Sequence, residues 1–392
     1  MATREALWDY RDEFGDAFGR TYFRRFGPGV ASSVGLGTYR GAATAAVDDA
    51  ARDVLQLGLE SGVNHVDTAV NYRCGRAERV VGAALRDAAV DREAVVLASK
   101  GGFLPFAGER PTDPAAYIRE RFVDTGLVEP ADLAGAHTLA PRAIEWSLDR
   151  SLERLGVETI DTYYLHAPET QLRVRDREAV YDRLEAVFET LERRRLAGDI
   201  GQYGVATWDA FRVAETDDTH LSLPAILARA EAAGETVGPT DDHGFAAIQL
   251  PFNVRMADAF TRANQRPAGA PDADPVSTLA FAHEAGLSVV TSASIGQGEL
   301  AVPGSIPASV DAELSGETVR PTDQEKSSRE SDTALTQRIL TESTPDIVFA
   351  MLQKYQNTDK LANAGEQVSM TITRKEKKPG QEEPVVEKQV TL

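Results

Sequence analysis

Four polar residues of this 392-residue chain follow apolar segments in a fixed order, and their types suit one reaction. They are Asp67 and Tyr72 in HVDTAVNYRCG, Lys100 in VLASKGG and His166 in TYYLHAPE. A tyrosine phenol has a pKa near 10, so it is a poor acid unless a nearby ammonium stabilises its anion. A buried carboxylate would keep that ammonium charged, and an imidazole could donate to a substrate oxygen. The set therefore suits proton delivery to a carbonyl oxygen as hydride arrives at carbon.

Each of these residues taken alone has a simpler structural explanation. A lysine at a strand end is usually solvated, a tyrosine usually packs at a rim, and a histidine after an apolar strand is usually structural. The order of the four and their common place after apolar runs favour a joint role.

The elements that must position these side chains alternate between short β-branched runs and longer segments of helical period. That alternation is typical of a parallel sheet wrapped by helices. The sequence predicts strands at 30–39, 63–69, 94–100, 159–166, 202–207, 246–252 and 287–294, with an eighth at 346–351. It predicts helices at 49–62, 77–88, 142–156, 177–198, 276–286 and 334–343. The first strand has no phosphate-binding glycine fingerprint after it, so an α/β fold of the (β/α)₈ TIM-barrel type is favoured over an open doubly wound sheet.

The predicted domain organisation has one barrel with additions. Residues 1–29 would form an N-terminal cap or hairpin and residues 30–365 the barrel. Long insertions fall near 101–140 and 212–245, and both would emerge where barrels place their sites. A polar segment covers 315–332, and a tail at 366–392 without helical period is expected to be disordered or loosely docked.

Composition and charge exclude several classes of protein. With 42 Lys and Arg against 61 Asp and Glu, the formal charge is −19, which argues against nucleic-acid binding. The acidic surface favours a salt-loving, halophilic source. No apolar run is long enough to cross a bilayer and the charged start does not match a signal peptide, so a soluble, cytoplasmic protein without a membrane partner is expected. The single cysteine, Cys74, excludes an intrachain disulfide and a cysteine-based metal cage.

Several stretches together resemble the aldo-keto reductase family over about residues 30–300. They are VGLGTYRG (34–41), GVNHVDTAVNYRCGRAERVVGAAL (62–85), VVLASKGG (95–102), SLDRSLERLGVETIDTYYLHAPE (147–169), IGQYGVATW (200–208) and AAIQLPFNV (246–254). The resemblance implies a barrel that reduces a small carbonyl, or oxidises an alcohol, with NADPH, NADH being possible, and with no metal. It implies that Tyr72 is the general acid, that His166 orients the substrate, and that Lys100 with Asp67 lowers the pKa of the phenol.

The same resemblance assigns residues to the cofactor. Gly37, Thr38 and Tyr39 would lie near the nicotinamide and the substrate mouth, and Gln249 would bind the carboxamide. Thr207 follows Ala206 where the family usually has Ser-Asn, and Ser292 stands where many members stack a tyrosine. The remaining assignments are Gly296 in the run that would cover the pyrophosphate, Asp67 as a further cofactor-binding residue, and Lys360, or Lys354 instead, for a ribose 2′-phosphate.

Three functions stay open at this point. The leading one is an NADP-dependent oxidoreductase acting on a small aldehyde, ketone or sugar-like carbonyl. The second is a cofactor-sensing regulatory subunit with little or no turnover. The third is a non-functional product whose C-terminal region does not close the barrel. Substrate identity and oligomeric state depend on loops that composition does not describe.

Overall fold

A curled parallel sheet carries the predicted site residues. The structure is a computed structural model, and it describes residues 1–238, 243–253, 255–267 and 272–296, together with the backbone of strands 347–348, 351–353, 369–375 and 385–391. Seven strands of the sheet lie before residue 296: β3 (Gly35–Gly37), β4 (His65–Asp67), β5 (Val96–Gly101), β6 (Ile160–His166), β7 (Ile200–Ala206), β8 (Phe245–Pro251) and β11 (Ser288–Ser292). Each pairs in parallel with the next in this order.

Two short segments complete the sheet. Strand β12 (Ile347–Val348) pairs in parallel with β11, and β13 (Met351–Gln353) pairs in parallel with β3. Both segments lie within residues 347–353, where the eighth strand was predicted. The eighth strand is therefore present as two short pieces, one at each edge of the sheet. The fold is thus an α/β barrel of the (β/α)₈ TIM-barrel type.

Helices cover the outside of the sheet. They are α2 (Ala45–Leu59), α3 (Ala77–Asp87), α5 (Pro141–Leu155), α6 (Arg177–Ala197), α7 (Leu223–Val237) and α9 (Thr278–Glu284), with the short α4 (Pro114–Ile118) and α8 (Asp258–Thr261) between them. A short antiparallel pair, β9 (Ala263–Gln265) and β10 (Val276–Ser277), lies between α8 and α9 in the chain. The ends of the helices follow standard capping chemistry: α6 begins after Asp176, whose carboxylate accepts from Ala179 N (2.8 Å), and ends at Gly198 with φ 89°. Gly82 lets α3 approach α5, since a Cβ there would lie 2.4 Å from Leu155 O.

The first predicted strand is wrong in its extent. Residues 30–39 do not form one strand: β2 (Gly29–Ser32) pairs antiparallel with β1 (Phe23–Phe26), and only β3 belongs to the barrel. The side chain of Asn64 accepts from Ser32 N (2.7 Å), which fixes the end of the hairpin at the barrel. Helix α1 (Arg4–Phe14) and this hairpin bury Leu7, Phe26 and Val30 against Val96 of β5 and Val290 of β11.

The two long insertions predicted near 101–140 and 212–245 both contain helices. The 101–140 segment contains α4 and a small core of its own that includes Leu104, Ile118, Phe122 and Val128. The 212–245 segment holds α7, a helix missing from the sequence prediction, which packs on α6. Its apolar face is Leu223, Ile226, Ala230 and Ala233, which is the three-and-four spacing of an amphipathic helix.

The remaining predictions concern the C-terminal part. In the 366–392 tail, β14 (Ser369–Lys375) and β15 (Val385–Thr391) pair antiparallel, a pairing that the loss of helical period did not predict. The predicted helix at 334–343 and the polar segment 315–332 lie outside the described residues. Within the part that the structure describes, no helix is long and apolar enough to cross a membrane.

Candidate active site

The floor of the site is a buried ion pair between neighbouring strands. Asp67 ends β4 and Lys100 lies near the end of β5, and their side chains are about 1% and 0% exposed. The Lys100 ammonium donates to the Asp67 carboxylate and to Thr68 O (2.9 Å). Gln249 of β8 donates from Nε2 to the second carboxylate oxygen of Asp67 (2.8 Å). The pair is therefore held from three strands.

Tyr72 lies above this pair on the turn after β4. Lys100 Nζ is 4.9 Å from the centre of its ring, and the ring contacts those of Tyr39 (5.1 Å between centroids) and His166 (5.7 Å). The next residues, Arg73 and Cys74, both have left-handed backbone, with φ 49° and 57°. This conformation is unfavourable for non-glycine residues, and it is held by the Arg73 guanidinium, which donates to the Asp48 carboxylate and to Ala42 O.

His166 ends β6 and faces Tyr72 from the other side. The Phe103 ring packs against its imidazole (5.1 Å between centroids). His137 Nε2 donates to the main-chain oxygen of His166 (2.8 Å), and Gln171 Nε2 donates to His137 Nδ1 (3.0 Å). The structure thus brings together all four residues that the sequence singled out, and His137 and Gln171 support them.

Burial is the largest cause of the pKa shifts of these three side chains. It raises the pKa of Tyr72 well above 10, and the negative charge of Asp67 and then Tyr39 add to the effect. It lowers the pKa of Lys100, against the opposing effect of Asp67. Burial also holds the pKa of His166 well below its ordinary value, and the positive charge of Lys100 acts in the same direction. The net direction for the phenol is a raised pKa, with burial as the largest cause, so the lowering of that pKa by Lys100 with Asp67 stays a prediction.

A cleft of about 720 Å³ opens above the floor. Its walls come from the loops after β3, β4, β5, β6 and β7, and Tyr39 and Trp208 are partly exposed at it (46% and 39%). The residues that line it include Asn71, Tyr72, Phe103, His166, Glu169, Arg173, Thr207, Asp218, Gln249 and Ser292. An uncharged imidazole and a protonated phenol at the bottom of such a cleft can both donate to one substrate oxygen.

The residues expected to hold a cofactor lie in three places. Gly37 ends β3, and Thr38 follows it with its hydroxyl bonded to Thr68 Oγ1 (2.8 Å). Thr207 follows β7, Gln249 lies within β8 near its end, and Ser292 ends β11; all three line the cleft. Gly296 has φ 60° and its N–H donates to Ala293 O (2.7 Å), beyond the lining of the cleft. Lys354 and Lys360 lie outside the described residues.

The polar rim fits an amide-bearing ring. Thr207 is 5% exposed, and its hydroxyl has no hydrogen-bond partner in the described part of the chain. Gln249 and Ser292 lie on the same rim. A buried polar group without a partner is costly, so a ligand with its own donor and acceptor would satisfy this position. Sequence reasoning missed Glu169 and Trp208, although Glu169 follows His166 by three residues in HAPE.

The sequence of this chain is similar to a protein family and to several known proteins. The family model described as the aldo/keto reductase family matches residues 33–230. A D-threo-aldose 1-dehydrogenase of a Pseudomonas species is 30% identical over 162 residues, which is 41% of this chain and 44% of the relative. A probable voltage-gated potassium channel subunit beta of Oryza sativa subsp. japonica is 27% identical over 168 residues, or 42% of this chain and 39% of the relative. The matched segments thus span less than half of these curated relatives.

A solved structure shows the same fold. An aldo/keto reductase from Klebsiella pneumoniae, in complex with NADP and acetate, superposes with a TM-score of 0.50 at 21% identity, covering 88% of this chain and 89% of that one. At this identity the likeness concerns the fold alone.

Proposed function

The chain belongs to the aldo/keto reductase family, and from that premise we propose that it is an NADPH-dependent oxidoreductase that interconverts a small aldehyde, ketone or sugar-like carbonyl and its alcohol. The observation that carries the proposal is the buried Lys100–Asp67 pair beneath the Tyr72 ring, with His166 facing that ring from the other side. An ammonium with no exposed surface is costly to bury, and its place beneath a phenol in a cleft favours a functional role.

The proton in the proposed reaction comes from Tyr72. Its raised pKa keeps the hydroxyl protonated at neutral pH, so it can donate to the substrate oxygen. As negative charge develops on the phenol oxygen, the Lys100 ammonium stabilises it, and Asp67 keeps that ammonium charged against the burial that lowers its pKa. The neutral imidazole of His166 donates a second hydrogen bond to the same oxygen and orients it.

The cofactor would be held along the rim formed by Thr207, Gln249 and Ser292, with Gly37, Thr38 and Tyr39 on the opposite side and Gly296 toward the pyrophosphate. When bound, a nicotinamide supplies or accepts the hydride that the protein side chains cannot carry. We propose NADPH rather than NADH because members of the family use NADPH and only sometimes NADH. Lys360 or Lys354 would bind its ribose 2′-phosphate. The aldose named in the Pseudomonas relative supports a sugar-like substrate.

The proposal is tested by mixing the protein with NADPH and a panel of small aldehydes and aldoses and following NADPH absorbance. Tyr72→Phe should lower kcat by about 100- to 10,000-fold, the usual contribution of a positioned general acid. Tyr117→Phe, a phenol in the 101–140 insertion, is the matched control and should leave turnover unchanged. Equal turnover of Tyr72→Phe and the parent protein would remove Tyr72 from its role.

A second candidate is a cofactor-sensing regulatory subunit. Two departures from the family's usual residues favour it. Ala206 stands where the family has a residue that contacts the carboxamide, and Ser292 stands where many members have a tyrosine that stacks on the nicotinamide. The potassium-channel subunit named among the relatives also supports it. Fluorescence titration with NADPH separates the two candidates: tight binding without turnover of any carbonyl would favour the sensor.

A further inference from the structure

Glu78 is a buried carboxyl group that follows the turn carrying Tyr72. It is the second residue of α3 and is 0% exposed. Its Oε1 atom accepts from Ser99 Oγ (2.7 Å), and Ser99 precedes Lys100 on β5. Its Oε2 atom accepts from Nη1 of Arg154 on α5 (3.4 Å). The carboxyl group thus connects α3 with β5 and α5.

Arg154 contacts the backbone of the Tyr72 turn on both sides of the phenol. Its Nη1 atom also donates to Val70 O (3.0 Å), two residues before Tyr72. The N–H of Val70 in turn donates to Lys100 O (3.1 Å). After Tyr72, Gly75 lies against the guanidinium, since a Cβ there would be 3.1 Å from Arg154 Nη1. The guanidinium held by Glu78 therefore fixes the turn that presents the phenol.

A favourable charge at the start of α3 does not account for the burial of Glu78. A carboxylate in the first turn of a helix is stabilised by the helix dipole at the surface as well. Burial raises the pKa of Glu78, while its hydrogen bonds and the positive charge of Arg154 oppose the shift. Burial also lowers the pKa of Lys100, and the negative charges of Asp67 and then Glu78 oppose that shift. Glu78 is thus coupled to the ammonium as well as to the turn.

We infer that Glu78 is a positioning residue that, through Arg154 and Ser99, holds the Tyr72 turn against the end of β5 in the geometry needed for proton transfer. Among the described residues, neither Glu78 nor Arg154 lines the cleft, so both act through Tyr72 and Lys100. This inference rests on the proposed function, because the placement of the phenol affects turnover only if Tyr72 delivers the proton.

The experiment measures kcat and KM for the best aldehyde of the panel, and the Kd for NADPH, in folded variants. Glu78→Gln keeps the size of the side chain but offers one acceptor oxygen in place of two, so Ser99 and Arg154 cannot both be satisfied. It should lower kcat by about 10- to 100-fold, the scale expected for a misplacement of about 1 Å, and change KM and Kd by less than about twofold. Asp87→Asn removes the same charge from an exposed position of α3 and should leave all three constants unchanged.

The dependence on the Tyr72 hydroxyl is a readout that a merely structural role would not move. Because Glu78 acts through Tyr72, adding Glu78→Gln to Tyr72→Phe should lower kcat further by less than about twofold. Effects on kcat that multiply in the double variant would overturn the inference, since Glu78 would then support the fold in general.

Arg154 provides a second test, which holds even if Glu78→Gln folds poorly. Arg154→Met removes the donor to Val70 O and should lower kcat as Glu78→Gln does, whereas Arg154→Lys keeps a cationic donor and should retain most of kcat. Arg150→Met, at an exposed position of the same helix, is the matched control. Parent-like kcat in folded Arg154→Met or Glu78→Gln would overturn the inference. Absence of turnover by the parent protein on every substrate would instead overturn the proposed function, and this inference with it.

Discussion

Lys100 Nζ lies 4.9 Å from the centre of the Tyr72 ring while it is ion-paired with Asp67 beneath that ring. The ammonium is therefore shared between a structural partner and a catalytic candidate. A charge with no exposed surface is stable only because its partner and Thr68 O replace its hydration.

Replacing Lys100 should consequently damage stability as well as activity. In Lys100→Met, Asp67 is left buried with Gln249 as its remaining side-chain donor among the described residues, and the free energy of unfolding should fall by about 3–5 kcal/mol. Adding Asp67→Asn removes the unpaired charge and should recover part of that loss without recovering turnover. Urea unfolding measures both effects, and a double variant as unstable as Lys100→Met would show that the pair is not the cause.

Asp48 is predicted to hold Tyr72 in place through the turn that follows it. Its carboxylate receives both the Arg73 and the Arg76 guanidinium groups, and Arg73 is one of two consecutive non-glycine residues with left-handed backbone. Asp48→Asn should lower the free energy of unfolding by about 1–3 kcal/mol and lower kcat with a smaller effect on KM.

The neighbouring residue provides the control for Asp48. Asp49 lies on the same helix and is exposed, so Asp49→Asn removes the same charge without touching the two arginines. Thermal unfolding and steady-state kinetics of the two variants should differ. Equal behaviour would mean that the arginine contacts contribute nothing to the turn.

The places of the four central residues and of most barrel strands were predictable because most of these strands are short runs with β-branched residues, bounded by turn residues. Their meeting point followed from the rule that parallel strands of a barrel end at one face. The split of 30–39 was not predictable, since it depends on the pairing of Ser32 with Phe23 and on a cap from Asn64, 32 residues away.

The chemistry of individual groups was harder to predict than their position. The sequence indicated that an ammonium near Tyr72 would lower the pKa of the phenol, but it could not indicate the complete burial that raises this pKa, nor the added effect of the Asp67 charge. The contact between the Glu169 carboxylate and Trp208 N could not be predicted either, because it depends on which main-chain donors of the loop after β7 reach that carboxylate. Such features arise from packing between loops distant in the chain.

Acid should destabilise the protein through His137. Burial lowers the pKa of this imidazole from 6.5 to about 4, and it donates from Nε2 to His166 O while Nδ1 accepts from Gln171. The unfolded chain binds the proton first as the pH falls, so the stabilisation is complete above pH 6.5 and is lost between about 6.5 and 4, by about 3 kcal/mol. His137→Asn should show a shallower fall in the free energy of unfolding over this range. The same slope in both proteins would assign the acid sensitivity to other groups.

The weakest part of the proposed cofactor site is Ser292, and replacing it should strengthen binding. Ser292 ends β11 and lines the cleft beside Thr207 and Gln249. An aromatic ring there would stack on a nicotinamide, and a stacked pair contributes about 0.5–1.5 kcal/mol beyond area burial. Ser292→Tyr should therefore lower the Kd for NADPH by about 2- to 12-fold, a conversion at 1.4 kcal/mol per factor of ten. Ser288→Tyr, at the other end of the same strand, is the control and should leave the Kd unchanged in a fluorescence titration. Equal affinities of Ser292→Tyr and the parent protein would place the nicotinamide away from this rim.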